Sequence, residues 1–104
     1  FISTGHTYWI SDEEIQIFEK NATNGDKNSA FKLYQYHMFV YLDQDSEFKW
    51  LEIAAKNGHP IAQSNLADLF FTQGNKEKAI FWAKKAYRNG AKLPDELKIL
   101  ININ

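Results

Sequence analysis

The sequence predicts an all-α protein in which one pair of helices occurs twice. At an offset of 32 residues, six pairs of positions between residues 27–58 and 59–90 carry identical residues. Chance would give roughly two identities over one such period at average composition. A 104-residue chain has the size of a single domain. We therefore expect about six helices in a short right-handed α-solenoid of antiparallel helix pairs. The identical pairs are Ala30 and Ala62, Phe39 and Phe71, Trp50 and Trp82, Ala54 and Ala86, Asn57 and Asn89, and Gly58 and Gly90.

The first predicted helix belongs to an N-terminal half unit, residues 11–25. Ser11 followed by Glu14 is the pattern of a capping box, in which each residue satisfies a free amide of the helix start. Asp12 and Glu13 add negative charge to the first turn, where the helix dipole favours it. The apolar stripe consists of Ile15, Phe18 and Ala22.

Two whole units follow, residues 26–58 and 59–91. In the second unit, Pro60 suits the first turn of a helix and Gly74 ends that helix. A capping segment, residues 92–104, begins a short helix after Pro94. The two apolar stripes of the second unit are Ala62, Leu66, Leu69 and Phe70, and then Ala79, Trp82, Ala83 and Ala86.

Asn-Gly pairs stand at 24–25, 57–58 and 89–90. Between alternating apolar runs, such a pair would signal a β-hairpin. Here each pair follows a helical stripe, so we interpret the glycine as the left-handed residue that closes a helix.

Small residues recur where helices must approach closely. Ala30, Ala54, Ala62 and Ala86 leave room for the large side chains of a neighbouring helix. A bulky replacement should overpack the joint, at a cost of about 1–3 kcal/mol. One helix pair cannot bury its apolar faces alone, so neighbouring pairs are expected to stack.

The run from 57 to 91 resembles a Sel1-like repeat, a relative of the tetratricopeptide repeat. The first unit resembles it less closely, with Gln35 at a usually small position and Leu42 where a glycine ends the first helix. The matching positions of the second unit are Gly58, Pro60, Ala62, Gln63, Leu66, Ala67, Phe70, Gly74, Lys78, Ala79, Trp82, Lys85, Ala86 and Gly90. Those of the first are Ala30, Tyr34, Trp50, Leu51, Ala54, Ala55 and Gly58.

The resemblance implies a solenoid that binds other proteins and has no catalytic machinery of its own. Some small Sel1-like proteins are immunity proteins that neutralise bacterial toxins. The partner would then be a toxin, an effector or a scaffold client. A fragment of a longer Sel1-like array is the alternative. An enzyme is the weakest hypothesis, because the sequence offers no convergent polar constellation.

In the related solenoids the first helix of each pair lines a concave groove. Exposed aromatic side chains there make good anchors for a partner. Tyr36 is expected to be the most exposed of them, whereas Phe39 and Phe71 could instead pack between helices. The predicted partner-binding residues are Lys32, Tyr36, Phe39, Val40, Ser64, Asp68, Phe71 and Thr72, with Ser29 beside them.

Charge and composition narrow the function classes. Residues 1–52 carry a net charge of −5 and residues 53–104 a net charge of +4, so the molecule is electrostatically polar although its total is only −1. This total gives no general argument for a nucleic-acid partner. No apolar run is long enough to suggest membrane insertion. Without cysteine, disulfides and thiolate metal sites are excluded. A signal peptide before Phe1 would make the protein exported or periplasmic; otherwise a cytoplasmic location is expected.

Four weaker patterns are interpreted structurally, and neither metal nor cofactor is expected. Ser46 and Lys49 have the spacing of some acylating enzymes, but Ser46 better fits a helix start. The alternating Asp43, Asp45 and Glu47 lack the glycine of a calcium loop. His37 lies on an apolar stripe and is expected to be a hydrogen-bonded core residue. A basic stretch could contact phosphates, but a solvated face or a surface for an acidic partner is favoured, with Tyr87 its one expected aromatic residue. That stretch is Lys76, Lys78, Lys84, Lys85, Arg88 and Lys92.

Overall fold

The computed structural model describes residues 8–103, and these contain six α-helices and no strand. The all-α prediction is confirmed for this part of the chain. Two of the helices, Lys27–Phe39 and Gln44–Lys56, lie within the predicted first unit, and two others, Pro60–Thr72 and Lys76–Arg88, lie within the second. The bounds are α1 Asp12–Thr23, α2 Lys27–Phe39, α3 Gln44–Lys56, α4 Pro60–Thr72, α5 Lys76–Arg88 and α6 Asp95–Leu100.

Side chains cap the start of four of these helices. The Ser11 hydroxyl accepts a hydrogen bond from the Glu14 amide at 3.3 Å, and the Glu14 carboxylate accepts one from the Ser11 amide at 3.2 Å. The predicted capping box is therefore confirmed. Asp26 and Asn75 cap α2 and α5 in the ordinary way. The cap of α4 is unusual, because Nδ1 of His59 accepts from the Ala62 amide at 3.3 Å.

Four helices end at a glycine in the left-handed region. Gly25, Gly58, Gly74 and Gly90 have φ between 82° and 103°. After Gly58 and Gly90, the next amide returns to a carbonyl in the last turn, His59 to Ala54 at 3.0 Å and Ala91 to Ala86 at 2.9 Å. This is the hydrogen-bond pattern of a Schellman motif. The three Asn-Gly pairs close helices, as the sequence predicts.

The C-terminus of α2 has no glycine and is built differently. The Tyr41 amide bonds to the Tyr36 carbonyl at 3.0 Å, and the Asp43 amide bonds to the His37 carbonyl at 3.3 Å. Tyr41 and Leu42, which lie in this link, are 63% and 80% exposed, respectively. Because Leu42 stands where the second unit has Gly74, the link between α2 and α3 is built differently. It leaves two apolar side chains on the surface.

The core extends from Ile10 to Ile101 rather than around one centre. Helices that are consecutive in sequence pack against each other, and α1 also contacts α3. Trp50 and Trp82 are 3% and 8% exposed and occupy equivalent positions of the two units. The four alanines predicted at close helix approaches, Ala30, Ala54, Ala62 and Ala86, are completely buried. The predicted stripes of α5 and most of α4 are thus confirmed as core.

Two polar side chains tie the helices together across the repeat. Gln63 on α4 is 2% exposed; its amide nitrogen donates to the Ala55 carbonyl at 3.0 Å, and its oxygen accepts from Asn89 at 2.9 Å. It therefore links the ends of α3 and α5 through α4. Asn65 on α4 donates to the Tyr34 hydroxyl on α2 at 3.3 Å. The bonds to Ala55 and Tyr34 join the two units, whereas the bond to Asn89 lies within the second unit.

Some sequence-based expectations about the core are wrong in detail. Ile15, Phe18 and Leu69 pack against the core but keep part of their surface exposed. His37 is buried as expected, at 9% exposure, but its Nδ1 has no hydrogen-bond partner among the described residues. The imidazole instead contacts the rings of Tyr36 and Tyr41 edge to face. The expectation of a hydrogen-bonded histidine is thus wrong for this nitrogen.

Candidate functional site

A cleft opens where α2, α3 and α4 meet. Its main part has a volume of about 390 Å³, and a second part of about 320 Å³ shares three lining residues with it. We call the two parts together the α2–α4 cleft. The main part is lined by Tyr34, Met38, Glu47, Leu51, Asn65, Asp68, Leu69 and Thr72. The second part adds Gln44, Phe48 and Gln73.

Helical spacing brings these side chains to one opening. Glu47 and Leu51 lie one turn apart on α3, and so do Tyr34 and Met38 on α2. On α4 the lining residues follow the i, i+3, i+4, i+7 pattern of a single face, namely Asn65, Asp68, Leu69 and Thr72. Three helices thus supply an apolar floor from Met38, Leu51 and Leu69, with polar groups around it.

The cleft is acidic. Glu47 is half-buried, and burial raises the pKa of its carboxyl, while the nearby His37 acts in the opposite direction. Asp68 is exposed on the rim. Neither carboxylate has an ion-pair partner among residues 8–103, where the one salt bridge joins Lys56 to Glu52 at 4.0 Å. The cleft therefore offers two carboxylates that the described fold leaves unneutralised.

Tyr34 completes the polar lining. Its side chain is 6% exposed, and its hydroxyl accepts the hydrogen bond from Asn65. Burial, followed by the charge of Glu47, raises the pKa of the phenol. The hydroxyl therefore stays protonated at neutral pH. Together these groups can receive a cationic or hydrogen-bond-donating side chain whose stem lies on the apolar floor.

Only two of the predicted partner-binding residues line this cleft, Asp68 and Thr72. Lys32 is exposed and Val40 is half-buried, both outside the lining. Ser64 is 8% exposed and contributes to the lining of a second cleft, described below, rather than to this one. The turn that carries Ser64 also contributes Gln63 and Leu66 to the core, and little of the Ser64 surface is left open.

The predicted groove aromatics are more enclosed than expected. Tyr36 is half-buried against His37, with ring centroids 5.1 Å apart, so it is not the most exposed aromatic residue. Phe39 is 39% exposed and stacks on Tyr8 at 4.6 Å. Phe71 is partly buried against the core. Packing between helices, the alternative considered for Phe71, therefore describes that residue better than a free groove position.

Sequence reasoning missed most of the cleft. Periodicity assigns Tyr34, Met38 and Leu69 to the core, and each does pack there, yet each also presents an edge to the cleft. In the sequence, Glu47 stands out only as part of the discounted calcium pattern. The signal that could have found it is its position one turn before Leu51, on the side of α3 that faces α4.

A second cleft, of about 740 Å³, separates the start of α4 from the segment that follows α5. Its lining is mainly apolar and includes Ile61, which is 54% exposed. His59 lies at its edge, stacked on Phe31 with centroids 4.0 Å apart. Burial and then the charge of Lys27 lower the pKa of this imidazole. The ring is therefore neutral at physiological pH, as its role as a cap acceptor requires.

The described residues contain no arrangement typical of a metal site. No group of three or more His, Asp or Glu side chains in the range 8–103 could hold a metal ion. The Ser46 hydroxyl donates to Asp43 at 2.8 Å beside the start of α3, which agrees with its interpretation as a helix-start residue. Within the same range, no helix is long and apolar enough to span a membrane.

The chain is similar to the uncharacterized protein YibG of Escherichia coli K12. The two are 33% identical over 95 residues. This similarity covers 85% of the present chain and 62% of YibG. The chain thus spans somewhat less than two thirds of the length of that relative. No protein-family model and no solved structure matches the chain.

Proposed function

We propose that this protein is a non-catalytic protein-binding module of the Sel1-like type, with its helix pairs stacked as a short right-handed solenoid. The internal repeat supports this proposal, since both units end in a left-handed glycine and bury a tryptophan at the equivalent position. The link from Gln63 to the end of α3 joins the two units, which is the kind of contact that stacked units need.

The α2–α4 cleft is the binding site in this proposal, and its two unneutralised carboxylates are the observation that carries it. An extended segment of a partner would place a Lys or Arg side chain between Glu47 and Asp68. The aliphatic stem of that side chain would cover Met38 and Leu69. Charge-assisted hydrogen bonds of this kind are stronger than neutral ones, particularly where Glu47 is partly shielded from water.

Within this function, we propose that the partner is a bacterial toxin or effector and that the protein acts as its immunity protein. The uneven charge distribution supports this subtype, because a blocking protein must find its target quickly and complementary charge speeds encounter. A scaffold client would use the same cleft and would differ in what its capture does to the cell.

A displayed library of random dodecapeptides, selected on the full chain, tests the cleft. We expect enrichment of peptides with Lys or Arg next to an apolar residue. Selection on the Glu47→Gln/Asp68→Asn variant should lose these peptides. The Glu19→Gln/Glu77→Gln variant, which neutralises two exposed carboxylates outside the cleft, should retain them. Equal loss with both variants, or no basic enrichment, would remove the cleft from the proposal.

Affinity capture from cells that produce the protein then tests the subtype. The captured partner should depend on Glu47 and Asp68 in the same way as the peptides. An immunity protein should also restore growth to cells that express the captured partner. A partner that has no effect on growth when expressed alone would exclude the immunity role and leave a scaffold role.

A further inference from the structure

The outer face of α5 combines exposed aromatic rings with cations that no carboxylate of the described chain pairs. Phe81, Lys84 and Arg88 form one exposed stripe at i, i+3 and i+7, and Phe81 is 52% exposed. Lys85 flanks the stripe, with its ammonium 5.2 Å from the centre of the Phe81 ring. Tyr87 lies beside Lys84 and is 50% exposed. Two half-exposed rings thus share the outer part of α5 with three cations.

The aromatic character of this face could not be read from the sequence. Tyr87 is the one aromatic residue that the sequence places beside the basic stretch, but Phe81 belongs there too. Trp82 contacts the Phe81 ring edge to face at 5.1 Å, so the ring is held by the core on one side and open to solvent elsewhere. A large apolar side chain that is already fixed loses little entropy when a partner covers it.

The repeat supplies an internal comparison. The equivalent stripe on α3 consists of Lys49, Glu52 and Lys56, and there Lys56 pairs with Glu52 at 4.0 Å. On α5, a phenylalanine replaces the first lysine and a lysine replaces the glutamate. The same position of the fold thus carries an ion pair in one unit and a basic surface with an exposed aromatic ring in the other. Helix packing does not require this change, since both stripes face solvent.

The acidic residues nearest to α5 in sequence do not neutralise the cations of its outer face. Glu77 is the single acidic residue of α5, and it forms no ion pair within residues 8–103. Asp95 and Glu96 at the start of α6 form none either within that range. The cations of α5 are therefore available to an outside partner.

We infer that the outer face of α5 binds an acidic segment of a partner protein, with an apolar side chain of that segment resting on Phe81. Lys84 and Arg88, one and two turns further along α5, contact carboxylates that lie to one side of this anchor. A protein partner is favoured over a nucleic acid, because the net charge of −5 on residues 1–52 would repel a long polyanion. This inference does not depend on the α2–α4 cleft.

The test again selects random dodecapeptides on the full chain, now for a different enrichment. Peptides with Asp or Glu around an aromatic or aliphatic residue should be enriched. The enriched peptide, labelled with a fluorophore, is then titrated by anisotropy. Lys84→Gln/Arg88→Gln should weaken its binding about tenfold, as expected for two solvent-facing charge pairs. Phe81→Ala should weaken the binding of the peptide more than Lys84→Gln/Arg88→Gln does. The control Lys49→Gln/Lys56→Gln removes the two cations of the α3 stripe and should leave the binding within about twofold.

Four outcomes would overturn the inference. One is the absence of acidic peptides from the selection, and another is equal weakening by the α5 and α3 variants, since that would reflect net charge alone. The third is tighter binding of oligothymidine than of the peptide, which would assign the face to single-stranded nucleic acid. Sedimentation velocity of the unmodified chain completes the test. A dimer that the Lys84→Gln/Arg88→Gln variant abolishes would make a second copy the occupant and also overturn the inference.

Discussion

Replacement of Gln63 by Met removes the polar link between the ends of α3 and α5 while nearly preserving side-chain volume. Gln63 is 2% exposed and makes two hydrogen bonds, at 3.0 Å to the Ala55 carbonyl and at 2.9 Å from Asn89. Each such bond stabilises a fold by a net contribution of about 0.5–1.5 kcal/mol, so we expect the free energy of unfolding to fall by about 2 kcal/mol. The cavity contribution should be small, because Met is unbranched and similar in length.

The remaining bonds of the two partners limit this cost. The Ala55 carbonyl keeps a bond from the Gly58 amide at 3.1 Å, and Asn89 is exposed and can bond to water. The loss should therefore stay well below that of a buried group left without any partner. For a domain of this size, about 2 kcal/mol corresponds to a fall in Tm of roughly 10 °C.

Urea unfolding followed by tryptophan fluorescence measures the effect, since Trp50 and Trp82 are both buried. A double-mutant cycle with Asn89→Ala isolates the bond between the two side chains, for which we expect a coupling of about 1 kcal/mol. A Gln63→Met variant within about 0.5 kcal/mol of the unmodified protein would refute the reasoning. So would a coupling near zero, because the link between α4 and α5 would then contribute nothing to stacking.

Two further predictions concern helix ends. The pKa of His59 lies below its ordinary value of 6.5, so the unfolded chain binds the proton more readily and stability should fall as pH drops through 6.5 toward the folded-state pKa. His59→Asn keeps a cap acceptor that does not titrate, and it should flatten this part of the stability profile in urea unfolding at several pH values; an unchanged slope would contradict the assignment. Gly58 has φ of 96°, and the space that a Cβ would occupy has no neighbouring atom within 4 Å, so Gly58→Ala should cost only the backbone strain of about 1 kcal/mol. Thermal unfolding would detect it, with Gly58→Asn as the milder control; equal Tm values for all three proteins would contradict the left-handed requirement.

The helices and much of the core could be predicted because their causes are local. Ser11 and Glu14 cap the same helix start, and Gly90 closes the helix that precedes it, so neighbours in sequence decide both features. Trp82 and Ala86 lie on one stripe of α5, and helical periodicity alone assigns that stripe to the interior. None of these features requires knowledge of another helix.

The candidate sites could not be predicted in the same way. Which cleft Ser64 lines depends on how the neighbouring helices pack, and it lines the second cleft rather than the α2–α4 cleft. Whether Phe81 is exposed depends on whether the packed helices form a complete apolar core without its ring. Glu47 gains its raised pKa from burial between helices, which its sequence neighbours do not reveal.

The amino-acid sequence by itself determined where four of the six helices end and which faces of α4 and α5 turn inward, since glycines and periodicity act within one or two turns. Only the tertiary structure decided that Gln63 joins three helices, that Glu47 and Asp68 share one cleft, and that α5 presents bare cations around an aromatic ring. The physical reason is that these properties depend on side chains from helices that are distant in sequence, and their burial and charge environment exist only after those helices have packed.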